Sequence, residues 1–546
     1  MGTVVFYVCF WLLIITLVIS GALRSKRRKE NRREYLHRSF SDPAGFKKEP
    51  HPNRIPALFS HLRDVFPDRF VIDEITANDL GIADICRAMD HCITPAGEDM
   101  MYSTLRMDTR ISAEDTVYDE ALKLSQNPGQ AIALLDILDR LPRYKDTDEF
   151  MILADLSGAD ESTTVVDFAV ILLLILAVAV TAVFPLAGFI AVLVMICIGI
   201  ATYFSGQRVM LENLKGVSLS LKLIKCAHAL KLAGREEYDR YERLLPLCFA
   251  NSIISYRDGT SSDPLSLVLD YVRMITHVDI IIYKLKIASI KKEIGELKSL
   301  YRDIGRLDMC LALASVLSPK KCCRAEISDK RIISAKAIYH PLIKVPVCND
   351  IDASSSVLLT GSNASGKSTF LKAVGLNVIF AENFGFAFAD EFTTGAFTVY
   401  TSMAVRDDIH SGESYYVVEA RSIKRLTDAA SSMALCIIDE VLRGTNTVER
   451  IAASSGILKY LSHGVCLCFA ATHDRELCRI LEGDMDMYHF TEEISDDNVT
   501  FPFLLKKGVS DRTNAIKLLD MLGFDKGIVK EAEEKVDHYR KTGNWI

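Results

Sequence analysis

A chain of 546 residues, 49% apolar and 25% charged, is long enough for about three domains and apolar enough to bury a large core. Its net charge of −7 gives no global basic field, which argues against constitutive strong nucleic-acid binding but leaves room for a local basic patch. The fourteen cysteines are scattered without CxxC spacing, and their closest clusters, Cys322 with Cys323 and Cys466 with Cys468, read as reduced, small apolar side chains in a cytosolic compartment.

In chain order, Thr3 to Leu23 is an uncharged run, about 31 Å long as a helix and matched to a bilayer core. Arg24 to Arg38 follows with eight Lys/Arg against two Glu. Positive charge after the run places the N-terminus outside and the rest of the chain on the cytoplasmic side, whereas a cleaved signal peptide needs the charge before it. The same basic stretch suits anionic lipid headgroups, at about 1 kcal/mol per basic residue, and a DNA-contacting arm is the alternative. Ser41 to Pro67 carries five prolines and reads as a linker. From Asp84 to Asp155 apolar residues such as Ile132, Leu135, Ile137 and Leu138 recur at helical spacing.

Phe168 to Phe204 is a second uncharged stretch, broken near its middle by Pro185 and Gly188. It is too long for one span and fits two short antiparallel ones, with both flanks cytoplasmic. A helix pair buried in a soluble core is the alternative, but Ile171 to Val180 shows no polar face. The expectation is therefore a multi-pass protein with about three spans. Met210 to Ala250 and Asp263 to Leu317 again read as helical. Within the latter, Ile290, Ile294, Leu297, Leu300, Ile304 and Leu307 form a stripe expected of a long helix packed on one side or in a coiled coil.

From Ile327 the pattern changes to short β-prone runs at Arg331–Ile338, Val357–Thr360, Ala434–Ile438 and Val465–Ala470, separated by helical patterns. Parallel strands of an α/β sheet are expected. Between the second run and the next helix stand Gly361, Ser362, Asn363, Ala364, Ser365, Gly366, Lys367 and Ser368, followed by Thr369. This matches G-x-x-x-x-G-K-[ST] in its required strand-to-helix context. Such a loop turns backbone N–H groups onto phosphate oxygens at a helix N-terminus. Lys367 is expected to reach the β/γ-phosphates of ATP and Ser368 to ligate Mg2+. The apolar run Leu435–Ile438 ends in Asp439, expected to hold the Mg2+ shell directly or through water, and Glu440, expected to orient and deprotonate the attacking water. After the next run, Thr472 and His473 occupy the place of a γ-phosphate sensor.

With those residues in hand, the chain resembles the MutS family of mismatch-repair ATPases. GSNASGKST at Gly361–Thr369 resembles the family's GPNMGGKST, the segment from Asp439 to Thr447 resembles DEIGRGTST, and Phe469 to His473 resembles FATH. Asp407 to Glu419 resembles the segment DDLASGRSTFMVE, which in that family completes the partner subunit's site; by that resemblance Ser411, Gly412 and Ser414 would bind nucleotide held by a second copy. Tyr339–Leu342, Leu307–Ala314, Thr94–Gly97 with Leu105, and Asn514–Gly523 resemble further family segments, the third of them at the start of a helical lever domain. Glu413 stands where the family has Arg, and Tyr415 and Tyr416 where it has Thr and Phe. An anchor and linker occupy the place of the family's mismatch-reading domain.

The resemblance implies an ABC-like, MutS-type α/β P-loop NTPase over 331–546, preceded by an all-α lever and clamp region. The expected boundaries are an anchor at 1–23, a basic segment and linker at 24–75, a first lever part at 76–163, a membrane hairpin at 164–205 and a second lever and clamp part at 206–330. The expected activity is hydrolysis of ATP by a homodimer, with membrane lipid and an unnamed protein as partners. A membrane-tethered, DNA-binding protein of repair or recombination is the alternative, supported by Lys284, Lys291, Lys292, Lys320, Lys321 and Arg324. A nucleotide-gated scaffold with little turnover is a third reading. An ABC transporter half fits poorly, because no LSGGQ-like segment is present.

Overall fold

The computed structural model describes residues 30–38, 55–109, 116–144, 147–158, 165–248, 274–317, 321–362, 365–403, 415–443, 445–490, 498–509 and 523–545, with a few shorter pieces between them. The apolar run Thr3–Leu23 lies outside the described residues. The chain forms two compact units, neither continuous in sequence. One comprises Met1–Val65, Asp90–Ser103 and Ala121–Val316, the other Phe66–Met89, Thr104–Glu120 and Leu317–Ile546.

The first unit is helical. The helix Pro95–Arg106 opens with proline at its first position, where the missing N–H costs nothing. Two of the sequence motifs meet at this start. The fully buried Asp308 accepts from the Thr94 backbone N–H at 2.7 Å and from the Thr94 hydroxyl at 2.6 Å through Oδ2, and from the Ile93 N–H at 3.2 Å through Oδ1. A carboxylate there also complements the helix dipole. A Cβ at Gly97 would lie 2.4 Å from Asp308 Oδ2, so the approach needs glycine.

The apolar stretch folds as two helices, Val165–Thr181 and Pro185–Leu232, turned at residues 182–184 with Pro185 again at the first helical position. Two expectations change here. The second helix does not stop near 205 but runs on to Leu232. Among the described residues only its Pro185–Tyr203 portion is long and apolar enough to cross a membrane. Val165–Thr181, at 17 residues, is about 25 Å long, short of a ~30 Å hydrocarbon core. Of the two spans expected in this stretch, the described residues provide one helix of spanning length.

The expected long helix after the hairpin is broken at Glu293 into Val278–Lys292 and Ile294–Leu317. The stripe is nonetheless the buried face: Ile290, Leu297, Leu300 and Ile304 are fully buried. Lys284, read from sequence as part of a basic cluster, turns inward and pairs with the buried Asp167 at 2.7 Å.

The second unit carries the strands β1 (Cys323–Ser328), β2 (Ile333–Ile338), β3 (Asn349–Ala353), β4 (Val357–Thr360), β5 (Phe386–Ala387), β6 (Glu391–Gly395), β7 (Thr398–Ser402), β8 (Ala434–Asp439), β9 (Leu467–Ala471), β10 (Asp486–Phe490), β11 (Glu493–Ser495), β12 (Asn498–Thr500) and β13 (Leu505–Lys507). A six-stranded sheet runs in the order β13-β10-β4-β9-β8-β7, with β10, β4, β9, β8 and β7 parallel to their neighbours and β13 antiparallel. β4, β8 and β9 are buried along their whole length, as continuous apolar runs with both faces covered should be. The run at Arg331–Ile338 is a strand, but not of this sheet. It forms β2 of a second sheet, β3-β2-β6-β1-β5, antiparallel to both neighbours.

The helix Glu74–Leu80 lies beside β7. Thr76 Oγ1 accepts from the Thr401 N–H at 3.2 Å, and Asp79 Oδ2 accepts from the Met403 N–H at 2.9 Å and the Thr401 hydroxyl at 2.7 Å. The core beneath the sheet joins Leu358, Cys436, Ile438, Leu458, Cys468 and Ala470. Every described cysteine is free, as the sequence reading expects, and burial pushes the Cys322 and Cys323 thiols up to about 11, which keeps both protonated.

Candidate nucleotide site

The P-loop connects β4 to the helix Lys367–Phe384. Gly361 and Gly366 adopt φ of 141° and 100°, a region costly for any residue with a Cβ. Ser365 closes the loop on itself, its N–H and hydroxyl both donating to the Ser362 carbonyl at 3.1 and 2.8 Å. The buried Lys367 ammonium donates to the carbonyls of Gly361 at 2.6 Å and Ser362 at 2.7 Å. Asn363 and Ala364 lie outside the described residues, as do Ser411, Gly412 and Ser414.

Parallel pairing of β4, β9 and β8 carries three motif ends to one edge of the sheet, the edge where ligands bind in open α/β folds. The Ser368 hydroxyl donates to Asp439 Oδ2 at 2.5 Å. A hydroxyl and a carboxylate at the head of a P-loop helix are hard oxygen donors of the kind Mg2+ takes, with phosphate and water completing its shell. Glu440 follows in the left-handed region at φ 63° and is pinned there by its N–H on the Ala471 carbonyl at 3.0 Å. His473, just beyond β9, places Nδ1 3.2 Å from Glu440 Oε1.

Arg443 was not anticipated as a site residue. Its Nε lies 2.8 Å from Glu440 Oε2, its guanidinium also donates to the Asp439 carbonyl at 2.9 Å, and its N–H donates to Glu419 at 3.1 Å. The bond from His473 is the largest influence holding the Glu440 carboxyl below its usual range; Arg443 and Lys367 act the same way, against burial. That bond likewise raises His473, again against burial.

Beside the loop lies a cavity of about 230 Å³ lined by Tyr339, His340, Val345, Phe370, Phe490 and Phe503, next to Gly366 and Thr369. Phe503 stands at φ 54°. Asn349 fixes its backbone, accepting from the Leu505 N–H at 2.7 Å and donating to the Phe503 carbonyl at 3.0 Å. Apolar walls with a few polar groups suit a flat heteroaromatic ring. Tyr339 was legible as part of a motif, whereas nothing local in the sequence marks Phe503.

Residues 357–540 match the model of MutS domain V. The chain is 28% identical over 318 residues to the DNA mismatch repair protein MutS of Lactobacillus delbrueckii subsp. bulgaricus, covering 56% of this chain and 37% of that protein. It is 28% identical over 261 residues to the protein of the same name from Pseudothermotoga lettingae, covering 46% and 32%. With that of Thermosipho melanesiensis it shares 32% over 198 residues, covering 35% and 24%. The chain thus spans well under half the length of the curated relatives it matches. The matched span holds every described residue of the P-loop, the acidic pair and the histidine, so it is over the C-terminal part of this chain that the similarity to MutS domain V runs.

Proposed function

We propose that this protein is a membrane-associated ATPase that hydrolyses ATP to ADP and phosphate as a homodimer and couples nucleotide state to movement of its helical levers. The observation that carries the reading is the meeting of Lys367, Ser368, Asp439, Glu440 and His473 at the ends of β4, β8 and β9. In the reaction Lys367 moves from the Gly361 and Ser362 carbonyls onto phosphate oxygens. Ser368 and Asp439 would hold Mg2+, which supplies positive charge against the phosphates when bound. Glu440, kept ionised by its neighbours, accepts the proton of the attacking water, and His473 orients the carboxylate. The cavity beside Phe503 takes the adenine. Ser411, Gly412 and Ser414 of a second copy close the site.

Membrane association rests on the hairpin, where Leu172, Val183, Phe184 and Leu186 are all more than 60% exposed, far more apolar surface than a soluble face usually shows. A lever that moves with nucleotide would carry the hairpin with it.

DNA binding is the second reading, favoured by relatives named as DNA mismatch repair proteins. Turnover of the full-length protein in lipid vesicles, with and without DNA, separates the two. Lys367→Ala is expected to abolish ATP binding, and Glu440→Gln to keep binding while losing roughly 10²-fold or more in turnover. A several-fold stimulation by DNA, lost at high salt, favours the second reading. Undiminished turnover in Glu440→Gln overturns the assignment of the base, and ATP binding without turnover in the parent points to a gated scaffold.

A further inference from the structure

Resting on the reading that the hairpin enters a membrane, we propose that it is a wedge that does not cross: both helices enter from one face, and the turn at residues 182–184 stops inside the hydrocarbon. The depth is set at the foot of the hairpin. There Asp167 Oδ1 lies 2.9 Å from His277 Nδ1 and Oδ2 lies 2.7 Å from Lys284 Nζ, while His277 Nε2 meets the Gly199 carbonyl at 2.8 Å. His277 and Asp167 are almost fully buried, so this knot joins both hairpin helices to the helix Val278–Lys292 within protein. Asp, His and Lys side chains within a membrane protein face protein or water rather than lipid, and a knot of three of them marks where the lipid-exposed length begins.

Length then decides the topology. Val183 lies sixteen positions after Asp167, about 24 Å at helical rise, and Gly199 back to Phe184 is about 22 Å, whereas the hydrocarbon core is about 30 Å thick. Any tilt shortens the reach. The turn therefore falls short of the far headgroups.

The turn is also built for lipid. It carries no charge and no amide side chain, and Val183, Phe184 and Leu186 are exposed by 64–76%. The nearby Thr181 hydroxyl donates to the Val178 carbonyl. Ala182 donates its N–H to the Ala179 carbonyl at 3.2 Å, and Val183 and Phe184 donate to the Val180 carbonyl at 3.1 and 2.8 Å; Pro185 has none to give. From Ala182 through Pro185 every backbone N–H is thus taken up within the turn, which lowers the cost of placing it among lipid chains. Exposed apolar residues stand on both helices, including Leu172 and Ile175 on the first and Phe189 and Ile190 on the second. A bilayer covers them all, whereas a protein groove covers one face.

The test uses the full-length protein carrying Phe184→Trp, with Trp11→Phe and Trp545→Phe to remove the native indoles, in vesicles of phosphatidylcholine and phosphatidylglycerol with the ATPase outward. Expected is several-fold quenching by dibrominated lipid and none by iodide, whether trapped in the lumen or added outside. Strong quenching by lumenal iodide overturns the proposal in favour of a crossing hairpin and leaves membrane insertion standing. No quenching by dibrominated lipid removes membrane insertion itself, and the wedge with it. Adding Val183→Asp sharpens the distinction. A carboxylate too short to reach either face is expected to expel a non-crossing turn and expose the indole to external iodide, while a crossing turn would carry it unchanged.

Discussion

His473 holds Glu440 from one side while Arg443 holds it from the other, with Nδ1 to Oε1 at 3.2 Å and Nε to Oε2 at 2.8 Å. The raised histidine means that its pairing contributes fully below the ordinary histidine value and is lost as pH rises through the raised one. The lowered glutamate contributes above the ordinary carboxylate value and loses its share as pH falls through the lowered one. The pair is intact between those two limits. Histidine-labelled NMR of the nucleotide-free protein, with His473→Gln for assignment, should show His473 titrating above about 6.5 and falling back in Glu440→Gln. An unchanged titration in that variant would remove the pairing as its cause.

Phe503 lines the cavity beside Gly366, held by Asn349. Phe503→Ala is expected to cost about 1 kcal/mol of ring contact, roughly fivefold in the Kd for ATP. Inhibition by pyrophosphate, which makes no base contact, should be unchanged. If both weaken equally, the side chain shapes the loop rather than the base pocket.

Leu442 occupies the left-handed region at φ 56° and is almost completely buried. The backbone cost is about 1–2 kcal/mol, and truncating a buried leucine costs about 2–5 kcal/mol. Packing therefore outweighs strain, and Leu442→Gly should lower the thermal midpoint. A rise would mean that the strain dominates.

Asp308 holds Thr94, whose hydroxyl caps the helix that begins at Pro95 by accepting from the Gly97 N–H at 3.0 Å. Asp308→Ala would strip the acceptor from two buried donors of Thr94, at a cost of about 2–3 kcal/mol. Urea unfolding followed by far-ultraviolet circular dichroism should register it, with Asp308→Asn losing less because an amide oxygen still accepts. Equal losses would point to the charge rather than to the hydrogen bonds.

The parts of the site that were legible are those whose chemistry is local. A phosphate loop is made by consecutive backbone N–H groups, so Gly361 to Ser368 declare it, and Asp439 and Glu440 are announced by the apolar strand they end. What escaped depends on pairing across the chain. The run Arg331–Ile338 is β-prone by composition, but which sheet it joins is decided by β3 and β6. Lys284 reads as one more surface base until Asp167, over a hundred residues earlier, turns it inward. Phe503 has no motif because its place is fixed by the side chain of Asn349. Two segments that resembled family motifs, at Thr94 and at Asp308, gave no sign in sequence that they touch.

The interleaving of the two units bears on how the domain V region can be isolated. β7 ends the six-stranded sheet, and its outward N–H groups at Thr401 and Met403 are taken up by Thr76 and Asp79, residues that precede the hairpin in sequence. A fragment cut at 331–546 would leave those donors bare along an open strand, the template on which β-proteins add foreign strands and aggregate. Solubility of the excised ATPase would then depend on restoring the helix Glu74–Leu80, tethered or added as a peptide, as much as on anything within the nucleotide site.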